Sequence, residues 1–111
     1  MATRSRIAYR DADTGIFRSV YVHWDGSPDT RMPLLTEHWN TLPAVTELIS
    51  NGDISSLMDT MGDTIFYYRD RNESLNTMVS ESLAELVWDT GKMTEEYLYI
   101  FDNNEWQVRT V

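Results

Sequence analysis

Val20-Tyr21-Val22-His23-Trp24-Asp25-Gly26 closes an alternating run that begins at Ile16. A period of two means a strand with unlike faces. Ile16, Val20, Val22 and Trp24 point one way; Phe17, Ser19, Tyr21 and His23 point the other. Asp25-Gly26 is turn chemistry and Pro28 follows shortly, so the strand stops there. An imidazole, an indole and a carboxylate therefore gather where a strand meets a loop, a usual place for binding groups.

Working back from this strand, residues 1–5 read as an arm, and Arg6 to Arg10 as a first strand with Ile7 and Tyr9 on one face. Asp11-Ala12-Asp13-Thr14-Gly15 is a turn between them, giving an antiparallel hairpin. Working forward, Ser27 to Thr30 reads as loop, and Pro33 opens a helix to about Trp39 that buries Leu34, Leu35 and His38. Thr41 caps a second helix, with Pro43 in its first turn, Val45, Leu48 and Ile49 on its buried stripe, and Asn51-Gly52 as its stop. Asp53 caps a short turn, Ile54 to Met58. The β-branched and aromatic run Thr64 to Arg69 reads as a third strand, and Arg69 to Glu73 as a charged loop at its end. Leu75 to Val79 reads as another short strand. Ser82 with Glu85 has capping-box spacing, Ser80 being an equally good cap, for a helix that buries Leu83, Leu86 and Val87 and ends near Gly91. Tyr97 to Phe101 and Trp106 to Arg109 flank Asp102-Asn103-Asn104-Glu105 as a terminal hairpin. The expected architecture is one α+β domain: an antiparallel sheet of about five strands covered by about three helices.

Composition narrows the functional classes. The 111 residues carry 18 acidic and 9 basic side chains, a formal net charge of −9. Such a surface repels nucleic-acid phosphate and suits a partner with a basic surface. The chain has no cysteine, so thiolate chemistry and disulfides are excluded. No apolar run approaches the roughly 18 residues of a membrane span, and Ile7 is the first large aliphatic residue after Met1, so the expected compartment is the cytoplasm.

The order of motifs resembles a family of small proteins of unassigned function encoded by tailed bacteriophages and prophages. The resemblance rests on Thr3-Arg4-Ser5, Tyr21-Val22-His23-Trp24-Asp25-Gly26, Gly52-Asp53-Ile54-Ser55-Ser56-Leu57, Tyr68-Arg69-Asp70-Arg71-Asn72-Glu73, and Glu96-Tyr97-Leu98-Tyr99 with Trp106-Gln107-Val108. It spans nearly the whole chain. Ser27 stands where that family often has an aromatic, Val22 where cysteine is frequent and Asn72 where glycine is usual. Glycine would take φ > 0 more cheaply than asparagine. The resemblance implies phage origin and action in the cytoplasm of an infected cell; it supplies no reaction.

For chemistry, His23 and Asp25 share a strand face and could form a metal or acid–base pair with His38. No His-x-x-x-His or Glu-x-x-His pair exists, though, where zinc asks for three or four ligands. Neither a nucleophile elbow nor a glycine-rich phosphate loop is present. Glu95-Glu96 reads as solvated. No catalytic residue, metal or cofactor is therefore assigned. The candidate binding residues are Tyr21, His23, Trp24, Asp25, Arg69, Asp70, Arg71 and Glu73, aromatics to stack a base and arginines to hold a phosphate or an acidic loop from a partner or second subunit. The plainer reading makes Trp24 a core residue and Arg69, Asp70, Arg71 and Glu73 a surface ion network. Two binding functions stand in front: inhibition of a host defence or nucleic-acid-handling protein through the acidic surface, or sequestration of a nucleotide signal of host immunity.

Overall fold

The structure, a computed structural model, describes residues 3–111. Met1 and Ala2 of the expected arm lie outside the described residues. Ser5–Arg10 (β1) and Phe17–Val22 (β2) pair antiparallel in unbroken register, with Ile7 opposite Val20 and Arg6 opposite Tyr21. Pro28–His38 (α1) and Leu42–Ser50 (α2) follow, then Ile54–Ser56 (β3), Ile65–Phe66 (β4), Tyr67–Arg71 (α3) and Met78–Ser80 (β5). Leu83–Lys92 (α4) leads to the terminal hairpin Tyr97–Asp102 (β6) and Glu105–Thr110 (β7).

The class is α+β, but the sheet is larger than five strands and mixed. Its order is β4-β3-β2-β1-β6-β7, with β5 also on β2. β6 lies parallel to β1, Ile7 beside Tyr99, and β3 meets β2 in parallel at Val22 and Ile54. Among the described residues four helices accompany it instead of three. The terminal hairpin turns through Asn103 and Asn104 at φ 53 and 63, the left-handed conformation asparagine tolerates and a two-residue hairpin requires.

Alternation divides the sheet into two unlike faces. Ile7, Tyr9, Val20, Val22, Tyr99, Phe101 and Trp106 pack under α1 and α2, with Leu35, Val45, Leu48 and Ile49 closing the core. Its two indoles both find acceptors, Trp39 Nε1 at Met58 O (2.9 Å) and Trp106 Nε1 at Trp39 O (2.7 Å). Each such burial is worth roughly 1.5–3 kcal/mol. On the second face α4 covers only part of the sheet, laying Leu86 over Ala8, Phe17, Leu98 and Ile100. The remainder of that face carries Arg6, Ser19 and Tyr21.

Several local expectations are corrected. α1 starts at Pro28, not Pro33: Pro28 at the helix start, with Asp29 in the first turn, is an equally good opening, and Pro33 sits inside, where it omits one helical hydrogen bond. Asp53 does not cap a turn; its Oδ1 accepts the Tyr21 N–H (2.9 Å) and frees residues 54–56 to be β3. The run Thr64 to Arg69 is a two-residue strand followed by α3, because the Asp70 carboxylate turns back to accept the Phe66 N–H (2.8 Å). Arg69 to Arg71 are thus helical. Asn72 ends α3 at φ 55, in the conformation that glycine takes most cheaply. The strand expected at 75–79 lies at 78–80. Thr41 and Ser82 cap as expected, accepting from Ala44 and Glu85 N–H, though Leu83 at the start of α4 stays exposed. In the terminal hairpin Tyr99 and Trp106 are buried, Tyr97 is half-buried and Val108 is exposed.

Because β6 is an interior strand, its second-face residue Leu98 is completely buried between β1 and α4. Leu98→Ala is expected to cost about 2–5 kcal/mol, seen as a lower urea midpoint with unchanged slope. An unchanged midpoint would contradict this packing.

Candidate functional site

The uncovered part of the second face is organised by a buried ion pair. Arg6, 4% exposed, donates from Nε to Glu95 Oε1 at 2.8 Å, from one terminal nitrogen to Ser19 Oγ (3.2 Å) and from the other toward Met93 Sδ (3.1 Å). Glu95 is 3% exposed, and its second oxygen, Oε2, has no hydrogen-bond partner among the described residues. Ion pairs of this kind gain little net stability, since desolvation offsets their attraction. An unpartnered carboxylate oxygen adds cost without return unless something else comes to it.

That oxygen belongs to a group lining an open cavity of about 470 Å³, formed by Arg6, Tyr21, Asp53, Asn76, Thr77, Met78, Met93 and Glu95. A second depression of about 530 Å³, lined by Tyr67, Asn72, Glu73 and Ser74, shares Asp53 and Asn76 with it. Together they make one cleft with Asp53 at its waist. Burial raises the Asp53 carboxyl above the usual carboxylate range, against the Tyr21 N–H and Arg6, which lower it. Burial likewise raises Glu95, against Arg6. The charged lining is three carboxylates against one guanidinium, with the Tyr21 and Tyr67 rings alongside. Such a lining accepts hydrogen bonds from a cationic or N–H-rich group.

The sequence-derived candidates divide. Tyr21 lines the first depression, and its hydroxyl makes a short hydrogen bond to His23 Nδ1. His23 in turn packs edge-on against Trp24, ring centroids 4.6 Å apart. Trp24 is no core residue: β2 ends at Val22, Asp25 bends the chain at φ 57, and the indole is 44% exposed. The loop around Asp25 is held rigidly. Buried Arg31 donates to Trp24 O (2.7 Å), Tyr99 OH donates to Gly26 O (2.6 Å), and Gly26 N–H donates to Thr3 O (2.9 Å). A side chain at residue 26 would stand 2.5 Å from that Thr3 oxygen, so only glycine fits. Asp25 is exposed beside these contacts.

The second segment does meet the first, through β3. Trp24 N–H donates to Ser55 O, while an Arg71 terminal nitrogen donates to Ser55 Oγ (3.2 Å) with its guanidinium over the Tyr67 ring. Glu73 lines the second depression. Arg69 is committed elsewhere, over the Phe66 ring and bonded to Thr64 O (2.6 Å), Met61 O (2.9 Å) and Asp70. Asp70, whose carboxyl is lowered by Arg69 and by the Phe66 N–H, serves the same local turn. His38 pairs with Asp59 at 3.7 Å, and among the described residues no three His, Asp or Glu side chains group to hold a metal.

Arg6, Asp53, Asn76 and Glu95 were not singled out by the sequence reading. Arg6 is the one that carried a signal, a charge next to Ile7-Ala8-Tyr9 within a strand. Nothing local marks Glu95 as its partner among 18 acidic residues.

Two outcomes test the site as built. Arg69→Ala should cost about 1–3 kcal/mol, the range of hydrogen bonds to charged groups, and Arg71→Ala less than about 1 kcal/mol. Equal losses in chemical denaturation would contradict the division of roles. For pH, a carboxyl raised in the folded state contributes stability that is complete below its ordinary value and is lost as pH rises through the folded value. Asp53→Asn keeps an oxygen for the Tyr21 N–H and removes that loss. Its stability relative to wild type should therefore rise from about pH 4 to about pH 7; a fall over that interval would contradict the buried, ionisable Asp53.

No protein-family model, curated protein or solved structure matches the chain.

Proposed function

We propose that this chain is a phage-encoded accessory protein that works by binding: an inhibitor whose acidic cleft takes a basic group presented by a host protein of defence or nucleic-acid handling. The observation that carries this reading is the cleft itself, where Asp53, Glu73 and Glu95 outnumber Arg6 and one Glu95 oxygen has no partner among the described residues. The net charge of −9 supports it from a distance, because long-range attraction speeds encounter with a cationic surface. The motif resemblance supports the phage origin and the setting inside an infected cell. No helix among the described residues is long and apolar enough to cross a membrane.

Sequestration of a nucleotide signal is the competing reading. It needs free guanidinium groups for phosphate, and among the described residues the cleft lining offers only Arg6, already paired with Glu95. Arg69 is engaged with carbonyl groups and Asp70. The inhibitor is the better fit.

The test is affinity capture from host lysate followed by association kinetics with the captured protein. Association should slow as salt rises, since exposed charges are screened beyond roughly 8–10 Å near physiological ionic strength. Asp53→Asn combined with Glu73→Gln should weaken binding by about ten-fold or more while leaving the fold intact, as for truncated charge pairs at interfaces. Salt-independent association, or wild-type affinity in the double variant, would contradict the reading. A nucleotide released from the purified, denatured protein would favour the competing one.

A further inference from the structure

The sheet has free edges of unequal length. β4 has two residues and β5 three, whereas β7 presents six, Glu105-Trp106-Gln107-Val108-Arg109-Thr110, at the end of the strand order. A free edge of that length is a template for another strand unless proline, lysine or a bulge blocks it. β7 has no proline or lysine, and its register with β6 is unbroken from Tyr97–Thr110 to Asp102–Glu105.

The hairpin geometry says which main-chain groups face outward. In a two-residue turn with both central residues at positive φ, the closing pair, here Asp102 and Glu105, exchanges both hydrogen bonds. Glu105, Gln107 and Arg109 therefore point their N–H and C=O groups at β6. Trp106, Val108 and Thr110 point theirs away from the sheet.

We propose that β7 is a self-pairing edge, on which β7 of a second copy of this chain docks antiparallel with Gln107 opposite Gln107. In that register each Trp106 lies opposite the second copy's Val108, and these are the residues with outward main-chain groups, so both pairs exchange hydrogen bonds. Val108, 37% exposed in the single chain, lies beside the partner's Trp106 across the seam, each Trp106 keeping its place in its own core. Glu105 lies opposite the second copy's Arg109, twice by symmetry, in the non-hydrogen-bonded pairs where side chains come closest. Both residues are exposed, and neither has an ion-pair partner among the described residues. The i, i+4 spacing of opposite charges about Gln107 is what makes the edge complementary to itself. The neighbouring register, centred on Val108, sets Gln107 against Arg109 and leaves no charge pair. Repulsion between two chains of charge −9 acts over longer range and is screened at physiological salt. The acidic cleft takes no part in this contact.

Sedimentation of the full chain from micromolar to submillimolar concentration at physiological salt tests it. Wild type is expected to dimerise. Glu105→Arg and Arg109→Glu should each weaken the dimer by about ten-fold or more, because each places two like-charged pairs across the seam. The double exchange Glu105→Arg with Arg109→Glu should restore it. If either reversal lowers the melting temperature, Glu105→Gln and Arg109→Gln, which remove the two charge pairs without creating like-charged ones, should each still weaken the dimer, by a smaller factor. A wild type that stays monomeric throughout, single variants that dimerise like wild type, or a double exchange that fails to rescue would each overturn the proposal.

Discussion

The Arg6–Glu95 ion pair is the constraint on which the second face of the sheet depends. It joins the second residue of β1 to the residue two before β6, so it spans nearly the whole chain length with a 2.8 Å contact. A short α4 leaves that end of the sheet without a helix, and the Arg6 and Glu95 side chains fill it, 4% and 3% exposed. Burying two charges is instead tolerable because each neutralises the other and Ser19 takes a further donor. The same solution leaves the buried Glu95 Oε2 without a partner among the described residues, in a residue that lines the cavity. Structure and site are thus one arrangement: the pair that closes the sheet also lines the cleft.

Asp53 plays the corresponding part on the other side of the cleft. Its backbone and side chain hold three elements together: Oδ1 receives Tyr21 N–H of β2, and its carbonyl receives Tyr67 N–H of α3. Gly52 just before it adopts φ +85, and a Cβ there would come within 2.7 Å of Leu75, so the turn into Asp53 is narrow by construction. A carboxylate held this firmly and kept partly from water is pre-organised, and pre-organisation is where binding energy is conserved.

Both hairpins could be read from the sequence because alternation and turn residues are local. The caps at Thr41 and Ser82 and the stop at Asn51-Gly52 were legible for the same reason. The parallel contact of β6 with β1 was not, since no local feature records which strands become neighbours across ninety residues. The short elements failed through competition between side chain and backbone: Asp70 returning to Phe66 N–H turned an aromatic, strand-like run into α3, and Pro28 preceded Pro33 as a helix start. At the site, Tyr21 and Glu73 line the cleft, although Glu73 follows a helix and not the strand end expected for it. Arg69, expected to reach a ligand, is spent on the carbonyls of residues 61 and 64. The alternation expected through Trp24 stops at Val22, where β2 ends ahead of the bend at Asp25. Glu95 looked like an ordinary solvated acid because only the folded sheet brings Arg6 to it.

The most direct measurement is an NMR titration of the ¹⁵N-labelled chain with N-methylguanidinium, a minimal basic side chain, followed at the Arg6 Nε–H and the amides of Tyr21, Asp53 and Asn76. An acidic cleft that receives a basic group gives saturable shifts confined to those signals and lost in Asp53→Asn. Weak, non-saturating shifts spread over the acidic surface, unchanged in that variant, would contradict it.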